Sequence, residues 1–496
     1  MPELITTIGF FKERVNWTRC RHTPGDKLPL NVQNRTKHFL FKVAIEYTRS
    51  KGDAWEDDRR ERYYFIPCIL RDNILQSRVL TTDDQGYLEI NFLDCSQGKR
   101  YHKKKVTISG DLDICTQIHH QIQEILSELK RPKRFLVFIN PNSGHKKAGK
   151  VYGKYVAPLY DLCGVQTDVI VTSHAKHATE FLLSCDLKGV DGVIAVGGDG
   201  ILNEVIMGVL KRTQIQRQVN YDDPNVAMEM SNLPVGIIPA GSGNVIAQYL
   251  YHTKCPFTAA AKILQGHTLQ SNVASVHMDQ KMSAVSSLIL GFGLFGDMMK
   301  ECEKHRNMGP SRYNVIPILS MMKRRTVDVN LSYQPMESNK KFRRQASCPG
   351  HCMQHDRLLK RAKSTSDILE DQEDKHWEKI SDRVFAIDTH PIMMTPKDGK
   401  LGPSFGKDHL NVFMTGKCGL LSHVTQLAKV KEWDLHCYNT KFIREIQTQR
   451  FKIGISNTMK DKDFYINCDG EALLLTQPSF EVRLHRRVLT LFGQQL

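Results

Sequence analysis

The sequence predicts an α/β lobe built on a parallel, three-layer sheet, followed by a β-rich C-terminal lobe and preceded by a small β-barrel closed by a C-terminal helix. Three observations carry this expectation. Between residues 131 and 277 short apolar runs alternate with helical patterns, the order of a parallel sheet covered on both faces. From about 278 to 496 short strands dominate, for example Phe480-Glu-Val-Arg-Leu-His485. Residues 1 to 130 form a third unit, in which alternating segments such as His38–Tyr47 and Arg62–Ile66 precede Asp111–Lys130. That last segment places Leu112, Ile114, Ile118, Ile122, Ile125, Leu126 and Leu129 on one helical stripe. A length of 496 residues fits about three domains.

Within the α/β lobe each strand runs into a distinctive turn. Arg134-Phe-Leu-Val-Phe-Ile139 leads into Asn140-Pro141-Asn142-Ser143-Gly144, and Val169-Ile-Val ends at Thr172 and Ser173 ahead of a helix from His174 to Leu183. Val190–Val196 ends in Gly197-Gly198-Asp199-Gly200, followed by Ile-Leu-Asn-Glu204 and a helix expected to open near Asn203. Pro234-Val-Gly-Ile-Ile-Pro ends in Ala240-Gly241-Ser242-Gly243-Asn244, and a further turn, Asp469-Gly470-Glu471, follows Cys468. Strand ends are where open α/β sheets bind ligands. Glycine turns ahead of helix starts let backbone amides and the positive helix end approach phosphate. The pattern GxxxxGK[ST] is absent, which disfavours an ordinary P-loop NTPase.

The ordered set NPxSG, GGDGxxNE, IPAGSGN and DGE resembles the diacylglycerol and sphingolipid kinase superfamily from about residue 131 onward. Arg131–Pro141, Arg212-Thr-Gln214, Gly291-Phe-Gly-Leu-Phe-Gly-Asp297, Glu303-Lys-His-Arg306 and Asn467–Glu471 are similar to its ceramide kinase branch. The resemblance implies an ATP- and Mg2+-dependent lipid kinase acting on the primary hydroxyl of ceramide. It implies Asp199 as the general base. Asn140, Pro141, Asn142, Ser143, Gly144, Thr172, Ser173, Glu204, Gly241, Ser242, Gly243, Arg306, Arg312, Asp469, Gly470 and Glu471 would surround ATP. Gly197, Gly198, Gly200 and Asp297 would face the lipid, and Asp469 with Glu471 would organise magnesium.

Two departures pull in opposite directions. Gly243-Asn244 is more like the sphingosine kinases, whereas ceramide kinases follow Ala-Gly-Ser with Thr. Met299 stands where sphingosine kinases carry an amine-binding aspartate, and a neutral N-acylated lipid has no use for that carboxylate. Alternatives stay open on sequence alone: a sphingosine or diacylglycerol kinase, or a catalytically weak ceramide-kinase-like protein. Asp199 could cap a helix, Asp297 could be the N-cap of Met298–Lys304, and Glu471 could be the base, as considered for related bacterial diacylglycerol kinases. Arg306 and Arg312 could serve only in surface ion pairs.

The net charge of +16, from 69 basic and 53 acidic residues, fits attraction to an anionic membrane surface. Nucleic acid is disfavoured, because no binding module appears and the basic residues are spread. Thirteen cysteines without framework spacing, and no basic n-region ahead of an apolar core, lead to the expectation of a cytoplasmic chain with free thiols. The longest uncharged apolar run, Ser283–Gly296, is shorter than the roughly 20 residues a span requires, so peripheral membrane association is expected. The order of strands closed by a helix resembles a pleckstrin-homology domain. Lys99-Arg-Tyr-His-Lys-Lys-Lys105 is either a phosphoinositide site or a charged edge strand. Residues 335 to 376 read as a disordered insertion. Cys348, His351, Cys352 and His355 there are candidate zinc ligands or plain thiols and imidazoles, and Ser347 and Ser364 follow arginines at a spacing that regulatory protein kinases read.

Overall fold

The computed structural model describes residues 40–41, 69–82, 85–95, 100–323, 325–336, 377–397, 400–432, 438–456 and 463–493. The expected strand Arg62–Ile66, the candidate zinc residues Cys348, His351, Cys352 and His355, and Ser347 and Ser364 lie outside the described residues. The chain divides into two compact units, Met1–Arg131 and Pro132–Leu496.

In the first unit, β1 (Ile74–Thr82), β2 (Gln85–Asp94) and β3 (His102–Gly110) form an antiparallel meander, followed by α1 (Leu112–Glu128). The carboxylate of Asp111 accepts the Asp113 amide at 2.8 Å and so starts the helix. Cys115, Ile118 and Ile122 then pack on Ile74, Leu88, Ile90 and Phe92. Each such aliphatic side chain stabilises the unit by about 1.5–3 kcal/mol. Leu112, first in the expected stripe, is exposed instead, while its backbone lies against Gly86. Lys103, Lys104 and Lys105 lie exposed on β3. Part of their charge is already engaged: Lys104 pairs with Asp94, and Lys105 with Arg78 grips the buried Glu89. The bonds from Lys105 and Arg78 hold the Glu89 carboxyl down at about 2.

The second unit opens with β4 (Arg134–Ile139), β5 (Gln166–Val171), α2 (His177–Ser184), β6 (Gly192–Gly197), α3 (Asp199–Gln216) and β7 (Val235–Pro239). The four strands are parallel in the order β7-β6-β4-β5. All residues of β6 and β7 are buried, as strands covered on both faces must be. Helices α4 (Val245–Tyr251) and α5 (Pro256–Leu264) follow.

Next come β8 (Thr268–Met278), β9 (Lys281–Ser286), β10 (Leu290–Gly293), α6 (Leu294–Lys304), α7 (Arg312–Met322), β11 (Val327–Tyr333) and β12 (Glu378–Thr389). The unit continues with β13 (Leu410–Gly416), α8 (Leu420–Glu432), β14 (Ile443–Thr448), β15 (Arg450–Ile455), β16 (Tyr465–Cys468), β17 (Glu471–Leu474) and β18 (Ser479–Phe492). These strands pair antiparallel around a core that includes Phe292, Val329, Leu331, Ile453 and Phe480. One sheet runs through both halves, because β18 pairs antiparallel with β8 and β15 and sets Leu491 beside Val235 of β7. Phe492 is wedged against Gly192 and meets the Phe135 ring edge-on at 5.8 Å. Among the described residues no helix is long and apolar enough to cross a membrane.

Candidate active site

Four turns meet at the strand ends of the second unit. The carbonyl of Gly197 accepts the amides of Ala240 (2.8 Å) and Gly241 (2.9 Å), which fastens the β6 turn to the β7 turn. The β4 turn is folded back by the Asn140 side chain, which accepts the Asn142 amide at 3.0 Å. Gly144, at φ +58°, is pressed so close to the next turn that a Cβ there would lie 2.0 Å from the Ala240 carbonyl oxygen. A Cβ on Gly197 would meet Ser143, and one on Gly241 would meet Gly198. Glycine is required at Gly144 and Gly241 because backbone touches backbone, and at Gly197 because the Ile201 and Ser143 side chains fill the space a Cβ would take.

Helix α3 opens at Asp199 itself, four residues earlier than the sequence suggested, because Gly198 takes the extended N-cap conformation. Asn203 and Glu204 therefore lie in its second turn. Asp199 does not cap its own helix. Its two oxygens instead accept the amides of Val245 and Ile246 at the start of α4, each at 3.2 Å. Burial raises its pKa, the two amides oppose that, and the charge of Asp469 adds to it. A half-buried carboxyl whose pKa is raised by burial, and which the start of α4 holds in place, has the character of a group that can accept a proton.

Asp469, at φ +52°, heads the β16–β17 turn and is buried. Its carboxylate accepts Ser286 Oγ (2.6 Å), the Ser287 amide (2.7 Å) and hydroxyl (3.2 Å), and the amides of Leu288 and Ile289 (both 2.9 Å). Those five bonds commit it to the β9–β10 loop. Glu471 is exposed, and its carboxylate stands over the start of α3, where a Cβ on Gly200 would meet it at 3.0 Å. Among the described residues no group of three or more metal-type side chains is assembled. Magnesium commonly binds through one or two carboxylates plus substrate phosphates. Glu471 presents that donor chemistry at the turn facing the start of α3, and Asp469 serves chiefly to hold the loop beside it.

Thr172 is buried at the end of β5, with its amide and hydroxyl on the Ile139 carbonyl just before Asn140. The Ser173 amide donates to His177, and the His174 and His177 rings stack at 4.9 Å. Glu204 turns toward this cluster: burial raises its pKa, and the amides of Lys176 and Ala178 draw it down. Thr172, Ser173 and Glu204 thus form a second group beside the β4 turn.

Helix α6 is tied to the Asp469 turn, since the Ala472 amide donates to Glu303 at 2.9 Å. Asp297 lies in the first turn of α6, which starts at Leu294, so it is not an N-cap. It pairs with Arg325 at 2.8 Å, and burial raises its pKa against that pairing. Met299 is buried beside Cys302, Ile316 and Ala472. Arg306 opens a 3₁₀ turn, Arg306–Ser311, and its side chain lies outside the described atoms. Arg312 starts α7, donates to the Gly309 carbonyl and to Tyr313, and stacks on the Tyr313 ring. Sequence reading missed Arg325, Glu303 and the Ser286-Ser287 pair. Only the two hydroxyls inside an apolar run signalled the last of these.

The diacylglycerol kinase catalytic domain matches residues 134–276, the span that holds three of the four turns. Ceramide kinase of Mus musculus is 30% identical over 437 residues, covering 80% of this chain and 82% of that protein. The chain belongs to the ceramide kinase family. It is a lipid kinase. Ceramide kinase of Homo sapiens is 28% identical over 75% of the chain and 76% of its own length. Sphingosine kinase 2 of Arabidopsis thaliana is 26% identical over 76% of the chain and 79% of its own length.

Proposed function

We propose that this lipid kinase transfers the terminal phosphate of ATP to the primary hydroxyl of ceramide at a membrane surface. The observation that carries the choice of lipid is Met299. It is buried among Cys302, Ile316 and Ala472 at the position where sphingosine kinases carry a carboxylate, so an ammonium placed there has no anionic partner on that residue. A neutral amide loses nothing in such surroundings, whereas an unpaired charge is costly. The relatives named ceramide kinase support the same reading.

In this reading the β4, β6 and β7 turns cradle the triphosphate with backbone amides. Asp199 accepts the hydroxyl proton, and the Val245 and Ile246 amides hold it in place for that task. Glu471 would hold magnesium together with the phosphates, and the metal when bound would neutralise phosphate charge. Asp469 fixes the loop that carries Ser286 and Ser287. Asp297, clamped by Arg325, borders the lipid headgroup. The first unit is proposed as a pleckstrin-homology-like membrane module, with Lys103, Lys104 and Lys105 on the face that meets anionic headgroups. Purified full-length protein with labelled ATP and a panel of ceramide, sphingosine and diacylglycerol in micelles tests the reading. Ceramide is expected to give the highest kcat/KM, and a preference for sphingosine in direct competition overturns it.

A further inference from the structure

Helix α7 is apolar on two sides. One side, with Ile316 and Met321, is buried, Ile316 packing beside Met299 of α6. The other side presents Val315, Ile318, Leu319 and Met322 to solvent, at the i, i+3, i+4, i+7 spacing of a single stripe, with Ile318 56% and Met322 63% exposed. Beside it α8 presents Leu421, 79% exposed, and Val424. The two helices are neighbours, since Ser320 and Met321 line one pocket with Leu420 and His423. Arg325, which clamps Asp297, lines the same pocket. Soluble surfaces rarely leave such an apolar stripe uncovered unless it meets a partner.

The charges around this face decide the kind of partner. Residues 309–327 and 416–431 contain no aspartate or glutamate, while Lys323 and Lys417 are exposed at the ends of the two apolar stretches. Exposed hydrophobic side chains flanked by lysines, on two stretches that themselves carry no acidic residue, suit a layer whose interior is apolar and whose surface is anionic; Asp297 and Glu301 of the neighbouring α6 are offset by Arg325 and Lys304. We infer that the α7–α8 face of the second unit docks on an anionic lipid bilayer, with Ile318, Leu319, Met322 and Leu421 entering the headgroup–acyl boundary beside the pocket that Arg325 lines. This inference rests on the lipid-kinase reading. It names the surface through which the kinase unit itself, apart from the first unit, reaches its substrate.

The test uses the full chain and vesicles of phosphatidylcholine with phosphatidylserine, free of ceramide, so that it stands apart from any substrate preference. Leu421→Trp adds a reporter at the most exposed point of the face. On vesicle binding its added emission is expected to move to the blue and to be quenched by lipids brominated on the acyl chain. Ile318→Glu with Leu319→Glu is expected to melt at the wild-type temperature and to weaken vesicle binding by roughly tenfold or more. Vesicle-bound Leu421→Trp protein whose added emission is neither shifted nor quenched overturns the inference, as does unchanged vesicle affinity of the double variant. A blue shift that grows with protein concentration without vesicles also overturns it, because the face would then meet a second copy of the chain.

Discussion

Asp199→Asn separates the chemical from the structural work of the residue on which the mechanism turns. The carboxylate accepts two amides, Val245 on one oxygen and Ile246 on the other. An asparagine supplies one acceptor, so its NH2 group must face one of those donors and leave it unpaired. That costs about 1–3 kcal/mol, a tolerable part of the roughly 5–15 kcal/mol by which a domain is stable. Loss of a general base costs about 10² to 10⁴ in rate, or roughly 2.7–5.5 kcal/mol on the barrier. Labelled-phosphate transfer to ceramide in micelles should therefore fall by at least a hundredfold, while ATP affinity, followed by titration, stays within a few fold. A modest drop in melting temperature should accompany it. Glu471→Gln is the comparison, because its carboxylate overlooks the same turn without bracing α4. Near wild-type turnover by Asp199→Asn, together with loss in Glu471→Gln, would refute the reasoning and move the base to Glu471.

Gly144→Ala should lower the melting temperature and weaken ATP binding, since a left-handed alanine costs about 1–2 kcal/mol and its Cβ would also push the β4 turn away from Ala240; wild-type behaviour in both measurements would contradict the packing described. Met299→Asp should reduce ceramide turnover and raise relative activity on sphingosine by about 5- to 150-fold, read from paired kcat/KM values; no change in the ratio would remove Met299 from the specificity argument. His485 predicts loss of stability in acid. Burial pushes its pKa down to about 3, so the folded state stays unprotonated while the unfolded chain takes up a proton below about 6.5. Stability should therefore be flat above neutrality and fall by about 1.4 kcal/mol per pH unit for this residue as pH drops below 6.5 toward 3, and chemical denaturation across that range checks it. The Met228 amide donates to His485 Nδ1 at 3.2 Å, so the nitrogen that a second proton would occupy already serves as an acceptor, and the nearby Arg483 and His277 repel the added charge.

The turns were legible in the sequence because glycine and small residues leave a local trace wherever the chain is packed too closely for a Cβ. Gly144, Gly197 and Gly241 each announced a contact without naming its partner. What could not be read was pairing across distance. Nothing local says that Asp199 braces α4, that Asp469 is consumed by Ser286 and Ser287, or that Arg325 neutralises Asp297, because the partners stand 28 to 183 residues apart. The start of α3 was misplaced for a related reason: Gly198 can be extended or helical, and packing against Gly241 decides which.

Strand β18 has a bearing on how this protein is made. The parallel quartet is composed of residues 134 to 239, yet the neighbour that covers the outer edge of β7 and the ring that fills the space beneath Gly192 come from residues 479 to 492. During synthesis the parallel quartet therefore waits with one sheet edge unpaired until about 250 further residues have left the ribosome. An unpaired edge of that kind is a template for aggregation. Lesions that delay or misplace β18 should show themselves first as loss of soluble protein, in advance of any defect in catalysis.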